Sequence, residues 1–151
     1  MRDVVIHDSE VLREWRNEAE VRKFSRHHEV ISVQQHSAWL GKRLNLIPSQ
    51  PFWMFEYDRI LVGFTRFDFD SNLKHFKISI TINPLLRGKG FGKRILSSSI
   101  EKFLTLNSGV DLYAEAHEDN KASRLIFLNC GFREYEPHGK FLIFKRTADS
   151  N

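Results

Sequence analysis

The chain has 151 residues, with 23 Lys and Arg against 19 Asp and Glu, which leaves a net charge of +4. Its hydrophobic fraction of 41% supplies enough apolar surface for one core and argues against global disorder. This size predicts a single domain over residues 1–151. The single cysteine, Cys130, excludes an intrachain disulfide and with it a disulfide-stapled secreted scaffold. We therefore expect a cytoplasmic protein.

Several classes of partner are disfavoured. The first residues lack the apolar stretch and cleavage site of a signal peptide, and no window holds the roughly 20 apolar residues of a membrane-spanning helix. The small excess of positive charge does not resemble the concentrated basic patches of proteins that bind nucleic acid. The 7 histidines form no pair at i, i+4 spacing and no cluster with the cysteine. We expect no membrane insertion, no nucleic-acid partner and no bound metal.

The first 50 residues predict a short strand followed by helices. Residues 4–7 are typical of a strand, and Asp8 is a residue that caps the start of a helix. Asn17 interrupts the helical pattern that follows, which leaves either one helix or two short ones. Ser32 and Gln35 have the spacing of a capping box, so a further helix is expected to begin there.

The rest of the chain predicts a mixed α/β sheet. Aromatic and β-branched residues predict three strands joined by tight turns, over residues 52–57, 60–69 and 74–82. The later elements are a helix over residues 91–106, a strand over 110–116, a helix over 120–129 and a hairpin that turns at 137–140. The predicted element order is β-αα-βββ-α-β-α-ββ, which indicates one mixed-sheet domain.

The segment over residues 80–94 carries the clearest chemistry, because a strand runs into a glycine-rich turn and directly into a helix. Gly88, Gly90 and Gly92 let backbone N–H groups converge at the positive end of that helix, which suits a phosphate or pyrophosphate. A side chain at Gly90 or Gly92 is expected to block close phosphate approach or to forbid the backbone angle. The spacing fits neither the dinucleotide fingerprint nor the P-loop, so an ATPase is disfavoured.

Residues 87–92, Arg-Gly-Lys-Gly-Phe-Gly, resemble the R-x-x-G-x-G signature of the GNAT superfamily of acetyl-CoA-dependent N-acetyltransferases. The preceding Ile82-x-Pro84 and the block over residues 120–132 are also similar to segments of this family. The resemblance covers most of residues 1–146. It implies the GNAT fold, acetyl-CoA as cofactor and transfer of the acetyl group to a primary amine.

The resemblance also implies a cofactor site. The backbone of residues 80–82 would hold the acetyl and pantetheine arm, the turn over residues 87–92 would cradle the pyrophosphate, and Asn120 would face the pantetheine or thioester. The complete set of expected cofactor-binding residues is Ile80, Thr81, Ile82, Arg87, Gly88, Lys89, Gly90, Phe91, Gly92, Lys93, Asn120 and Ser123.

Amine acetylation needs a neutral amine, a stabilised oxyanion and a proton for the leaving thiolate. Many family members place a tyrosine acid seven residues after the position of Asn120, but this chain has Phe127, which cannot donate a proton. Ser123 is the alternative acid, because the branch that resembles ribosomal-protein N-terminal acetyltransferases has a serine there. Ser123 is otherwise a hydroxyl that caps the first turn of a helix. Asn120 and Ser123 are therefore the predicted catalytic groups beside the base.

The general base is predicted on the strand that begins at residue 110. Alternation places Glu115 on one face of that strand with Tyr113 and His117. Glu115 is the leading base, acting directly or through water, and it is otherwise a solvated carboxylate. Glu118 and Glu56 are the alternatives.

The acceptor is expected to bind the N-terminal helices. Six residues resemble the branch that N-acetylates amino groups on nucleotide-linked sugars: Trp15, Arg16, Asn17, Arg22, His36 and Trp39. A sugar ring would stack on an aromatic face, and arginines would engage the diphosphate. The alternative is that the tryptophans are core residues and the arginines are solvated.

Other functions stay open at this point. N-terminal acetylation of a protein comes second, and acetylation of a small free amine such as an antibiotic or a polyamine comes third. From another class, the absence of the usual tyrosine allows a non-catalytic CoA-binding protein. We expect a monomer or a homodimer.

Overall fold

The computed structural model describes residues 1–148, and in that range the chain forms a seven-stranded sheet flanked by five α-helices. The last three residues of the predicted domain lie outside the described range. The strands are β1 (Arg2–Asp3), β2 (Phe52–Tyr57), β3 (Ile60–Asp70), β4 (His75–Ile82), β5 (Leu112–His117), β6 (Arg133–His138) and β7 (Phe141–Arg146). The helices are α1 (Ser9–Asn17), α2 (Ala19–Lys23), α3 (Val33–Leu44), α4 (Phe91–Leu106) and α5 (Lys121–Asn129).

The sheet is mixed, as predicted. Its strand order is β1-β2-β3-β4-β5-β7-β6, and each neighbouring pair is antiparallel except β4 and β5, which are parallel. The long α4 provides the crossover that a parallel pair requires. The three-stranded meander and the final hairpin are confirmed.

Each face of the sheet has its own core. On one face α4 and α5 bury Phe67, Ile78 and Phe103 among other apolar side chains, and the rings of Phe67 and Phe103 stack at 4.2 Å. On the other face α1 and α3 contribute Trp15 and Leu40 to a smaller cluster against β2. Apolar and polar side chains alternate along β4, so its isoleucines point to the face covered by α4 and α5 and its polar residues point to the opposite face.

The predicted strand over residues 4–7 is wrong. Strand β1 ends at Asp3, and the chain then turns into a short 3₁₀ helix over Ile6–Asp8. The turn forms because the Asp8 carboxylate accepts the backbone N–H of Val5 at 2.9 Å and forms an ion pair with Arg2 at 2.7 Å. Asp8 does stand before α1, but its side chain makes no capping hydrogen bond to that helix.

The first helical segment is two helices, one of the two predicted alternatives. The break falls at Glu18, whose extended backbone ends α1 and whose carboxylate accepts the N–H of Val21 at 3.1 Å to cap α2. Asn17 is bonded to Ile31 through both its amide nitrogen and its oxygen, each at 2.8 Å. The capping box of Ser32 and Gln35 at the start of α3 is confirmed.

Two features are absent from the described residues 1–148. No helix there combines the length and apolar character that crossing a membrane requires. The same residues contain no group of three or more histidine, cysteine or acidic side chains placed to hold a metal ion.

Candidate active site

The sheet opens between β4 and β5. The two strands pair only where they begin, with Phe76 opposite Leu112 and Lys77 opposite Tyr113. Beyond these pairs the described part of both strands shows no further pairing, and a cavity of about 520 Å³ lies where they separate. Backbone groups that lose their ladder partner need another hydrogen-bonding partner, so the opening suits a ligand with amide groups.

Most of the predicted cofactor-binding residues line this cavity. The wall includes Ile80, Thr81, Ile82, Arg87, Gly88, Gly90, Phe91, Gly92, Lys93, Asn120 and Ser123, together with the predicted base Glu115. Lys89 is exposed and does not belong to the wall. The structure therefore brings the glycine turn and the region around Asn120 together, although about 30 positions separate them in the sequence.

The glycine turn meets the geometric needs of a phosphate cradle. Gly88 and Gly90 have positive φ angles of 75° and 80°, a conformation that few side chains adopt. Gly90 stands at the N-cap of α4 and leaves the first turn of this 16-residue helix without a side-chain cap. The free N–H groups of such a helix start bind anions.

Gly92 lies where two helices pack closely. A Cβ atom there would lie 2.6 Å from Cδ1 of Ile126, on the neighbouring helix α5. The glycine therefore lets α4 approach α5.

The Arg87 side chain is already paired. Its guanidinium donates to Glu18 at 3.0 Å and to Glu20, so it ties the glycine turn to the start of α2. Lys93 lines the cavity from α4, and no carboxylate of residues 1–148 lies within ion-pair distance of it.

Asn120 and Ser123 form the start of α5. The Asn120 side-chain oxygen accepts the N–H of Ser123 at 3.1 Å, so Asn120 is the cap. The Ser123 residue is half-buried in the cavity wall. Phe127, at the position of the usual tyrosine, is only 2% exposed and packs against Phe132 and Phe144.

Glu115 faces the cavity in a charged pair. Both of its oxygens accept from Arg26, at 2.8 and 2.7 Å, and its side chain is 19% exposed. Burial alone would raise the pKa of Glu115, but the hydrogen bonds from Arg26 and the nearby charge of Lys77 lower it overall. Glu115 is therefore a carboxylate at neutral pH.

Aromatic rings lie beside the partner of this carboxylate and on its own strand. The His117 ring lies between Phe24 and Phe141, with centroids 5.7 and 5.3 Å away, and the Arg26 guanidinium lies 4.2 Å from the Phe141 ring. The Nδ1 atom of His117 accepts the backbone N–H of Asp119 at 3.2 Å. This acceptor role places the proton of the neutral ring on Nε2.

The other candidate bases and the cysteine lie elsewhere. Glu118 and Glu56 are exposed and do not line the cavity. Cys130 is half-buried at the C-cap of α5, with its sulfur 3.4 Å from the Ser97 hydroxyl, and it too lies outside the wall.

None of the six predicted acceptor residues lines the cavity. Trp15 is buried and stacks on Phe64 at 6.3 Å, and His36 is buried with Nδ1 3.1 Å from the Ser9 hydroxyl. Trp39 is 38% exposed, and the guanidinium of Arg66 lies 5.3 Å from its ring.

The remaining three predicted acceptor residues shape the loop after α2. Arg16 donates to the carbonyl of His27 at 2.9 Å, and Arg22 donates to the carbonyls of Asn17 and His28 at 2.9 and 3.1 Å. Together with the Asn17 bonds to residue 31, these contacts hold the loop that carries Arg26 to the cavity.

Sequence reasoning missed the wall that α2 and the turn after it supply. Glu20 and Val21 of α2 and the following Phe24 and Ser25 line the cavity, and Val21, Phe24 and Ser25 have the i, i+3, i+4 spacing of one helix face. That spacing indicates a common face but not what the face meets. Arg26 has no local signal, because its partner lies 89 positions away.

Comparisons with known proteins agree with this geometry. Residues 1–133 match the family model described as an acetyltransferase (GNAT) domain. No curated protein matches the chain at a significant level.

Solved structures share the fold. The ribosomal-protein-alanine N-acetyltransferase from Brucella melitensis is 18% identical with a TM-score of 0.79, over 97% of this chain and 98% of that one. A phosphinothricin acetyltransferase from Sinorhizobium meliloti, in complex with AcCoA, is 19% identical with a TM-score of 0.80, over 97% and 86%. A mutant of spermidine N-acetyltransferase from Vibrio cholerae is 17% identical with a TM-score of 0.78, over 97% and 94%.

The matched model spans most of the chain, and the chain therefore belongs to the GNAT acetyltransferase family. Enzymes of this family transfer an acetyl group from acetyl-CoA to an amine nitrogen.

Proposed function

We propose that this protein acetylates a primary amine on a nucleotide-linked amino sugar with acetyl-CoA as donor. The observation that carries the donor half is the opening between β4 and β5 beside the uncapped start of α4. The Glu115 carboxylate and the rings of Phe24 and His117 in the cavity wall support the acceptor half.

The cavity residues fit acetyl-CoA. The backbone of Ile80 to Ile82 offers unpaired groups to the pantetheine amides, and the turn at Gly88 and Gly90 offers N–H groups to the pyrophosphate. Lys93 adds a positive charge beside that turn.

When bound, acetyl-CoA supplies an acetyl thioester that accepts the amine at its carbonyl carbon. As the C–N bond forms, the amine must lose a proton, and as the C–S bond breaks, the thiolate must gain one. Glu115 receives the amine proton, directly or through a water molecule. Its lowered pKa keeps it charged at neutral pH but makes it a weak base.

Ser123 is the proposed proton donor, and Asn120 positions it. The Ser123 hydroxyl belongs to the cavity wall, and the Asn120 cap fixes the start of α5 beneath it. Arg26 is a positioning residue, since it orients both oxygens of Glu115 without lining the cavity itself.

The acceptor end combines one carboxylate with ring faces. Phe24 and His117 line the cavity and present ring surface of the kind on which a sugar ring stacks, and Glu115 lines it beside them for the amine. The Glu115 charge is balanced by Arg26, so this end lacks the dense acidic surface that a polyamine would need.

Donor binding is tested with Gly90→Asp and its neutral, similarly shaped control Gly90→Asn. Both residues tolerate positive φ better than most, so only the charge differs at the phosphate turn. Acetyl-CoA at about 100 times Kd should stabilise the wild type by about 2.7 kcal/mol. Any side chain at this position should hinder close phosphate approach, and a carboxylate should also repel the phosphate, so we expect a reduced thermal shift in the Asn variant and none in the Asp variant. Shifts in both variants as large as that of the wild type would remove the turn from the site.

The acceptor is tested by release of the CoA thiol with three classes of amine. We expect a UDP-linked amino sugar to accelerate thiol release, whereas a peptide with a free N-terminus and spermidine should not. Release with the peptide alone would change the assignment to protein N-terminal acetylation. Acetyl-CoA binding without release for any amine would favour a non-catalytic CoA-binding protein.

Glu115→Gln and Ser123→Ala test the assigned roles in the same assay. Each should lower kcat about 100-fold or more, as expected when a positioned acid or base is removed, and neither should change the thermal shift with acetyl-CoA. Glu118→Gln, next to the cavity but outside its wall, is the matched control and should keep full activity.

A further inference from the structure

The sheet face that carries Glu115 continues well beyond the cavity. By strand register, this face carries Arg66 and Asp68 on β3, Lys77, Ser79 and Thr81 on β4, and Tyr113, Glu115 and His117 on β5. We call these residues the polar strip. Thr81, Glu115 and His117 line the cavity, so the strip leads directly away from it.

The polar strip itself carries two cations, Arg66 and Lys77, and two carboxylates, Asp68 and Glu115. Arginines that contact it from other elements give the surroundings a positive surplus. Arg43 and Arg66 share the single carboxylate of Asp68, at 3.2 and 2.8 Å, and Glu115 is neutralised by Arg26. Lys77 has no carboxylate within ion-pair distance among the described residues, although it is only half-buried.

Arg16 adds to this surplus from α1. Burial lowers the pKa of Arg16, and the charges of Arg22 and Arg66 lower it further, whereas Glu29 acts in the opposite direction. Its Nη1 atom is buried without a hydrogen-bond partner among the described residues. A buried guanidinium nitrogen without an acceptor is costly, and an anion would satisfy it.

Arg66 and Lys77 can act on the same anion. Arg66 is opposite Ser79 and Lys77 is opposite Asp68, so the two cations are diagonal neighbours on one face. Diagonal side chains start roughly 7–8 Å apart, within reach of long residues. An anion between them can bind both the planar guanidinium of Arg66 and the ammonium group of Lys77.

A second cavity adjoins Lys77. It has a volume of about 370 Å³ and is lined by Asp68, Phe69, Asp70, Ser71, His75 and Lys77. Its carboxylates and hydroxyl can accept the hydroxyl groups of a ribose. The His75 ring stacks on Tyr113 at 3.8 Å and provides an aromatic border for a base.

The order of these groups matches one acceptor. Tyr113 is opposite Lys77, and Glu115 is the next residue on the same face of β5. An amine at Glu115, an anion at Lys77 and a ribose in the second cavity therefore follow one another along the strip.

We propose that Lys77 and Arg66 bind the diphosphate of a nucleoside diphosphate group, with Arg16 beside them and the nucleoside in the second cavity. This proposal rests on the proposed function, because it assigns a subsite of the same acceptor. It also replaces the predicted diphosphate ligand Arg22, which is bonded to backbone carbonyls.

The test measures UDP binding by calorimetry with the protein saturated with CoA, which blocks the donor phosphate site. The variant is Lys77→Met, and the matched control is Lys42→Met, which removes the same charge from the exposed side of α3. We expect Lys77→Met to weaken UDP binding at least tenfold and Lys42→Met to stay within twofold. Inorganic pyrophosphate should bind more weakly than UDP if the nucleoside contributes.

Two results would overturn the subsite. One is wild-type protein that binds CoA but not UDP, and the other is an equal loss in both methionine variants. If Lys77→Met fails to fold by circular dichroism, Lys77→Gln takes its place with the same expectation.

The outcome is separable from the proposed function. Acetylation of a UDP-linked amino sugar that Lys77→Met leaves unchanged would keep the function and reject the subsite. UDP binding that depends on Lys77, without acetylation of any nucleotide-linked amino sugar, would keep the subsite and reject the acceptor.

Discussion

Arg26 forms a bidentate ion pair with Glu115 across 89 positions of the sequence. The pair joins the loop after α2 to β5, and the Arg26 guanidinium also covers the ring of Phe141 on β7. One arginine therefore links the N-terminal helices to the part of the sheet that forms the cavity. It also decides the charge state of the residue proposed to receive the amine proton.

Removal of this pair should change how stability depends on pH. The folded state lowers the pKa of Glu115, so the pair stabilises the protein above the pKa of an unfolded glutamate, roughly 4.3, and this contribution is lost as pH falls through the folded pKa. Arg26→Gln should therefore lower Tm at pH 7 and approach the wild type in acid. Arg133→Gln, an exposed arginine on β6, is the control. If the Tm difference between Arg26→Gln and the wild type grew as the pH fell, the ion pair would not be the cause of the lowered pKa of Glu115.

His36 should make the protein less stable in mild acid. Burial, with a contribution from Arg13, lowers the pKa of His36, so the unfolded chain takes up a proton before the folded one does. Stability should fall as pH drops below about 6.5, the ordinary histidine value, and level off below the folded pKa. Urea unfolding of His36→Gln should lose part of this slope, whereas the exposed His7→Gln should keep it.

The buried hydroxyl pair of Thr65 and Ser99 should show coupling. Their oxygens are 2.7 Å apart, and Ser99 also donates to the carbonyl of Ile95 at 2.9 Å, so Thr65 donates to Ser99. Ser99→Ala leaves a buried hydroxyl unpaired and should cost about 1–3 kcal/mol of unfolding free energy. Adding Thr65→Val should cost less than the sum of the single changes. If the free-energy losses of the two single changes simply added in the double variant, the hydrogen bond between Thr65 and Ser99 would be excluded. As a control, Thr105→Val at an exposed position should change the unfolding free energy by under about 0.5 kcal/mol.

The carboxylates on Arg87 should weaken binding of acetyl-CoA. Glu18 and Glu20 pair with Arg87 beside the phosphate turn and reduce the positive potential there. Glu20→Gln should therefore tighten acetyl-CoA binding by roughly two- to fivefold at low salt, with less effect at high salt, because salt screens exposed charges. Calorimetry with Glu14→Gln, an exposed change on α1, gives the comparison. Weaker binding in Glu20→Gln would show that Arg87 needs this pair to shape the turn.

Local patterns predicted most of the elements. The capping box at Ser32, the alternation of β4 and the helix over residues 91–106 each depend on residues a few positions apart. The same holds for the glycine turn, where positive φ angles follow from glycine itself. The strand over residues 4–7 failed because the pairing of Arg2 with Asp8 bends the chain.

The acceptor side shows where sequence reasoning stops. Trp15 and Trp39 lie on neighbouring helices. Trp15 is buried in the core, whereas Trp39 is partly exposed beside Arg66. Burial depends on which strand a helix meets, and no spacing within the helix contains that information.

The sequence by itself determined the mixed α/β class, the phosphate turn and most of the residues around the cofactor cavity, because each depends on short-range geometry. Only the tertiary structure decided the pairing of Arg26 with Glu115, the pairing of Arg87 with Glu18 and Glu20, and the separation of β4 from β5. Each side-chain pairing joins residues more than 60 positions apart. Their partners are chosen by how helices and strands pack, which is a property of the whole fold.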